Sequence, residues 1–171
     1  TPETLEVATM VYAGLVNKQI VSALQNAGCD AIGLSGADAG VLKSVRRTHT
    51  PIDYGMVGDI EPSLVNATRL AQLLAIGLTS VLCAITHSAD GLLNTNADTV
   101  GAVLAMALCR QYEVKLVYCF EKKGVLGDPN DDDSVIETLS YPMVADLRAS
   151  GAVQGGMIPK HDAAFRPLHY G

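Results

Sequence analysis

The sequence predicts an α/β protein, a mostly parallel open sheet sandwiched by helices. Short apolar runs rich in Val, Ile and Leu alternate with longer segments of helical periodicity, the signature of strand–helix–strand units. Glycine-rich loops such as SGADAG follow the runs, where a chain leaves a strand. With 171 residues, 49% of them hydrophobic, 18% charged and 16 glycines, the chain has enough apolar surface to bury a sizeable core.

The elements follow in order. TPETLEV places Thr1 as an N-cap, Pro2 at the first helical position and Glu3 in the first turn, where a carboxylate is favoured. A helix cap at the first residue points to a missing upstream piece or a processed product. Periodic apolar positions predict helices over 2–13 and 16–27, the second ended by Gly28. Ala31-Ile32-Gly33-Leu34 reads as a short buried strand. Residues 42–47 and 54–60 read as exposed strands, 64–76 as a helix and 79–84 as another buried strand. THSADGLLNTN is a hairpin-like excursion ahead of a helix from Ala97, and 115–119 is expected to form a further strand. EKKGVLGDPNDDDSV is a long polar connection near a boundary between lobes. Helices near 141–149 and from Gly156 close the chain.

Charge and composition exclude several classes of function. The net charge is −6, the pI is near 5.0, and Arg46-Arg47 and Lys122-Lys123 are adjacent basic pairs without interleaved aromatics, which argues against a nucleic-acid surface. The apolar part of the helix from Ala97 stops far short of a membrane span, and no charged segment followed by an apolar one opens the chain, so no membrane partner and a cytoplasmic location are expected. Cys29, Cys83, Cys109 and Cys119 lack paired metal or redox spacing and read as buried thiols. His49, His87, His161 and His169 show no metal spacing. Asp131-Asp132-Asp133 reads as a solvated turn, and no metal ligands are assigned.

Three segments carry candidate chemistry. In LLNTNADTV, Asn94 and Asn96 project from one face of an extended segment, Asn96 is placed to cap the following helix, and Asp98 falls in its first turn. Helix-start chemistry accounts for Asn96 and Asp98 and is the favoured reading on spacing alone. Asn94 is left without a structural task, and its carboxamide both donates and accepts, which suits an α-amino acid derivative. In QGGMIPK, Gly155 and Gly156 allow close backbone approach, the helix start behind them is an anion site, and Lys160 adds a cation. This is neither a Walker A loop nor a G-x-G-x-x-G motif, and a plain glycine turn before a solvated lysine is the commoner meaning of such a segment. The third segment, EKKGVLGDP, lies beyond the carboxyl end of the predicted strand KLVYCF, where open α/β sheets bind nucleotides.

GLSGADAG, VGDIE, LLNTNADTV, KKGVL followed by DP, and GGMIPK occur in an order and spacing that resemble the acetylglutamate kinases of the amino-acid kinase family. The resemblance runs through all 171 residues and covers the middle and later part of such an enzyme. It implies ATP-dependent phosphorylation of the side-chain carboxylate of N-acetyl-L-glutamate in arginine biosynthesis, with magnesium accompanying the nucleotide. By the same resemblance, Asn94 holds the α-carboxylate or amide region of the substrate, Asp98 organises the catalytic lysines, and Lys160 contacts the transferring phosphoryl group. Glu121, Lys122, Lys123, Gly124, Val125 and Leu126 border the adenine nucleotide, together with Ala152, Val153, Gln154, Gly155 and Gly156; relatives often carry an aspartate at the position of Glu121. Residues 1–112 correspond to part of the amino-acid lobe and 113–171 to part of the nucleotide lobe. A phosphate-site lysine, a paired-glycine loop and a substrate arginine are expected before Thr1, a fragment without them is expected to be inactive, and at least a dimer is implied. N-succinyl-L-glutamate as acceptor, or a non-catalytic module of the same fold, are the alternatives that the residues leave open.

Overall fold

The computed structural model describes residues 1–119, 121, 123–128, 130–140, 142–144, 146, 164 and 167. The helices expected near 141–149 and from Gly156 fall largely or wholly outside them. The chain opens with α1 (Pro2–Thr9), capped by Thr1, whose hydroxyl accepts from the Thr4 amide at 3.3 Å. The two helices expected here are continuous: a wider π turn over Met10–Val16 carries α1 into α2 (Asn17–Asn26). Gly14 lies in that turn, and absorbing it as a π segment keeps the helix unbroken where its low propensity predicts an end. By length and composition Pro2–Asn26 is apolar enough to cross a membrane, yet it packs on the sheet through Asn17, its buried residue.

Strand β1 (Ala31–Leu34) pairs in parallel with β4 (Thr79–Leu82), Ala31 opposite Thr79 and Leu34 opposite Leu82. Between them lie β2 (Val45–Arg46), β3 (Val57–Asp59), a 3-10 turn at Pro62–Leu64 and α3 (Ala67–Ala75), which Asn66 caps through the Arg69 amide. Then β5 (Ile85–Ser88) and β6 (Gly91–Thr95) form the expected hairpin, and α4 (Ala97–Leu108) follows. Gly91 has φ 119°, a backbone conformation open to glycine, and the Ser88 hydroxyl fixes the turn by donating to the Gly91 carbonyl.

The second sheet has the order β2-β3-β6-β5, with β3 and β6 parallel and the two outer pairings antiparallel. It closes on itself. The run that ends in β2 also pairs with β5: the Ser44 amide donates to the His87 carbonyl at 2.8 Å, and the His87 amide donates to the Leu42 carbonyl at 3.0 Å. Residues 42–46 therefore touch both edges of the sheet and complete a ring of four strands.

Val41 and Leu42, fully buried, join Ile60, Val65, Leu70, Val100 and Val103 in the apolar core beneath α3 and α4. Burying a side chain of this size stabilises the fold by roughly 1.5–3 kcal/mol. The strands expected to be exposed at 42–47 and 54–60 are thus shorter and deeper than their composition suggests, with Leu42, Ser44, Gly58 and Ile60 all buried. Residues 115–119 form no strand: no described segment pairs with them, and a β-prone run without a partner does not make a ladder. The four cysteines are free thiols, but none is buried; Cys109 and Cys119 are exposed.

Two glycines separate packing from propensity. A Cβ on Gly36 would lie 2.6 Å from the Leu42 carbonyl oxygen and 2.7 Å from the Thr86 Cα, both backbone atoms, whereas one on Gly14 would meet nothing within 4 Å. Gly36→Ala is expected to destabilise the protein by about 1–3 kcal/mol through overpacking, and Gly14→Ala to be neutral or stabilising. Urea denaturation of both variants checks this, and equal midpoints would remove the claimed contact at Gly36.

Candidate functional site

The polar residues of NTNAD are sorted by the junction of β6 and α4. Along β6 side chains alternate, so Leu93 and Thr95 point inward and are buried while Asn94 is on the exposed face. The backbone of Asn94 is held on both sides, its amide donating to the Met56 carbonyl at 2.9 Å and its position opposite Ile85 on β5. Asn96 caps α4, its side-chain oxygen accepting from the Thr99 amide at 3.0 Å and from the Thr99 hydroxyl at 3.3 Å. Asn96 thus serves the helix as its spacing predicts, and no described group hydrogen-bonds to the Asn94 carboxamide.

Asn94 lines a cavity of about 410 Å³ where the carboxyl ends of β4 and β6 meet the long N-terminal helix. Val81, Leu82, Cys83 and Ala84 form one wall, Asn94, Thr95 and Ala97 another, and Tyr12, Val16, Asn17 and Ile20 the third. A mostly apolar cleft with a few polar groups, at the carboxyl ends of strands, is where α/β sheets hold ligands. Tyr12 and Asn17 were not legible as site residues. The one available signal was an asparagine beside Val16 on an apolar helical segment. Asn17 donates to the Val81 carbonyl at 2.8 Å and accepts from the Lys18 ammonium at 3.1 Å, which also reaches the Gly33 carbonyl, so this pair fastens the helix to both β1 and β4.

Asp98 stands in the first turn of α4, next to Ala97 of the cavity wall. Its backbone carbonyl accepts from the Tyr118 hydroxyl at 3.3 Å. Burial pushes the Tyr118 phenol above its ordinary pKa, and the negative charge of Asp98 pushes in the same direction.

Glu121, Lys123, Gly124, Val125 and Leu126 belong to a hairpin-like loop. Val125 accepts from the Ile136 amide at 2.8 Å, Leu126 bridges to Val135, and the Gly127 amide donates to the Ser134 carbonyl at 2.8 Å. A Cβ on Gly124 would lie 2.8 Å from a Val135 methyl group, so packing within the loop accounts for that glycine without a ligand. Lys123 pairs with Asp133 at 2.6 Å, both side chains well exposed, a contact of small energetic worth. Asp131, Asp132 and Asp133 lie at the exposed tip, the solvated turn expected. Lys122, Ala152, Val153, Gln154, Gly155, Gly156 and Lys160 lie outside the described residues.

The profile of the amino acid kinase family matches residues 1–171. The chain belongs to the amino acid kinase family. Among curated relatives, it is 52% identical over 170 residues to a Phocaeicola vulgatus protein named acetylglutamate kinase, covering 99% of this chain and 65% of that protein. A Bacteroides thetaiotaomicron protein of the same name is 51% identical with the same coverage, and one from a Synechococcus species is 38% identical, with 55% of its length covered. The chain thus spans about 65% of the length of the first two relatives. Among solved structures, it resembles the crystal structure of smu.665 from Streptococcus mutans UA159, with TM-score 0.81 and 25% identity over 99% of this chain and 65% of that one. Membership of the amino acid kinase family agrees with the α/β class, and the hairpin at β5–β6 makes the second sheet mixed rather than uniformly parallel.

The Tyr118–Asp98 contact is testable by pH. Because the folded phenol titrates above its unfolded value of about 10, its contribution to stability is fully present below that pH and is lost as pH rises through the folded value. Subtracting the ultraviolet phenolate titration of Tyr118→Phe from that of the parent should isolate one tyrosine titrating above the ordinary range. A difference curve centred at the ordinary value would dissolve the contact.

Proposed function

We propose that the protein catalyses transfer of the ATP γ-phosphoryl group to the side-chain carboxylate of N-acetyl-L-glutamate, forming an acyl phosphate in arginine biosynthesis. The observation that carries this reading is the close likeness, along almost the whole chain, to relatives named acetylglutamate kinase. The free carboxamide of Asn94 at the cavity supports it, since such a group recognises an α-carboxylate or amide. Asp98 organises the catalytic lysines, Lys160 neutralises charge on the transferring phosphoryl group, and the loop from Glu121 to Leu126 with residues 152–156 borders the adenine nucleotide. Residues 1–112 then serve the amino acid and 113–171 the nucleotide, in a cytoplasmic enzyme that is at least a dimer.

A carboxylate acceptor is already ionised at neutral pH, so no general base is required. Catalysis rests on in-line alignment and on charge neutralisation by lysines and backbone amides. Magnesium would enter with the nucleotide. The described residues include no cluster of three or more His, Cys, Asp or Glu that could hold a metal ion.

The test is ATP-dependent acyl phosphate formation by the protein expressed from its full reading frame, trapped as a hydroxamate, with N-acetyl-L-glutamate and N-succinyl-L-glutamate in parallel. Turnover with the acetyl compound is expected; its absence, or preference for the succinyl compound, overturns the reading. Asn94→Ala should raise the KM for the acid by about tenfold or more, the worth of a hydrogen bond to a charged group, and leave that for ATP nearly unchanged. Lys160→Ala should lower kcat about a hundredfold, roughly 3 kcal/mol, with little change in either KM, because a cation aimed at developing charge acts in the transition state. An equal effect of Asn94→Ala on both substrates, or unaltered turnover in Lys160→Ala, would remove that residue from the site.

A further inference from the structure

The closed four-stranded ring contributes one inward residue from each strand at a single level: Ser44 from the run 42–46, Gly58 from β3, Thr95 from β6 and Thr86 from β5. Gly58 and Thr95 are register partners. Ser44, Thr86 and Thr95 are all buried, Thr86 completely. The Thr86 hydroxyl lies 2.7 Å from that of Ser44, 2.8 Å from that of Thr95 and 3.2 Å from the Leu93 carbonyl oxygen, to which it donates. With its single proton on Leu93, Thr86 must accept from both other hydroxyls, which fills its two lone pairs. Gly58 makes the space, since a Cβ there would lie 2.7 Å from the Thr95 hydroxyl oxygen and 2.9 Å from that of Ser44.

We propose that this buried hydroxyl cluster, with Thr86 as its hub, is a positioning device that fixes the register of β6 and thereby presents Asn94 to the acidic substrate. An apolar layer of the same size would pack, but apolar contacts tolerate sliding and repacking. A saturated hydrogen-bond network has one arrangement, and any other leaves buried donors without acceptors. Register is what matters here, because a slip of one residue along β6 exchanges Thr95 with Asn94 and turns the carboxamide away from the cavity. The hub bonds both neighbours of Asn94: the Leu93 carbonyl before it and the Thr95 side chain after it. Thr86 itself does not line the cavity, so it acts through Asn94. The effect on substrate rests on the kinase reading above; the effect on the strand does not.

The test compares Thr86→Val, which keeps the shape and deletes the hub oxygen, with Thr86→Ser, which keeps that oxygen, in the protein from its full reading frame. Thr86→Val should raise the KM for N-acetyl-L-glutamate roughly tenfold, about 1.4 kcal/mol, with kcat and the KM for ATP nearly unchanged, and Thr86→Ser should recover most of the loss. In Thr86→Val the Asn94 and Thr95 amides, bonded to the Met56 and Ala84 carbonyls, should exchange with solvent faster while the Val103 amide of α4 stays protected. Equal changes in both KM values, a Thr86→Ser variant as impaired as Thr86→Val, or unchanged exchange at Asn94 would each overturn the proposal. Should Thr86→Val fail to fold, Ser44→Ala, which strands no donor and stands away from the cavity, carries the same expected split. If the parent protein makes no acyl phosphate, the kinase reading falls, and amide exchange alone decides whether the cluster holds Asn94 in place.

Discussion

The described fold depends on one constraint: the run 42–46 pairs with β5 at its start and with β3 at its end. At one level of the ring the inward positions are a glycine and three hydroxyl residues, and a Cβ on that glycine would overlap two of the hydroxyls. The same run begins at Leu42, which with the preceding Val41 packs into the core with Ile60, Val65 and Val103. Ring and core therefore share a strand. The β6–α4 junction inherits its position from both, since β6 belongs to the ring and α4 buries Val100 and Val103 in the core.

At that junction, a few consecutive residues have separate physical tasks. Thr95 is spent inside the ring, Asn96 on the exposed amides of α4, and Asp98 sits where the helix dipole favours a carboxylate. Asn94 is the residue with its side chain unspent, beside an apolar cavity. For the proposed phosphoryl transfer, which needs alignment more than proton transfer, a side chain on a strand held from both sides suits recognition, because its geometry is set before substrate arrives.

Local chemistry was legible in the sequence and long-range pairing was not. The caps at Thr1 and Asn96, strand β1, the β5–β6 hairpin and α4 follow from capping residues, apolar runs and a turn glycine, all within a few positions of one another. Gly14 misled because its propensity ends a helix in isolation, whereas a π turn carries the chain through. The strand expected at 115–119 failed for want of a described partner, which composition cannot supply. Closure of the ring rests on Ser44 and His87, 43 positions apart by their numbers, and nothing in either residue announces the other. For the same reason Asn94 stands out in the sequence by its excess polarity, while Tyr12 and Asn17, brought to the same cavity by a distant helix, do not. The nucleotide-side residues Lys122, Ala152, Val153, Gln154, Gly155, Gly156 and Lys160 stand on the family resemblance alone.

The long N-terminal helix gives the cavity unequal walls. Two are strands and a helix start, knitted by backbone hydrogen bonds; the third is a helix of 25 residues in which Asn17 is the buried side chain. A rod pinned near its middle is a lever, and tilting it about Asn17 exposes little apolar surface that is not exposed already. Displacement of this wall breaks side-chain bonds of Asn17, Lys18 and Gln25 to strand carbonyls but no backbone ladder. The width of the cavity is then set by the angle of the rod, while the place of Asn94 is set by the strands.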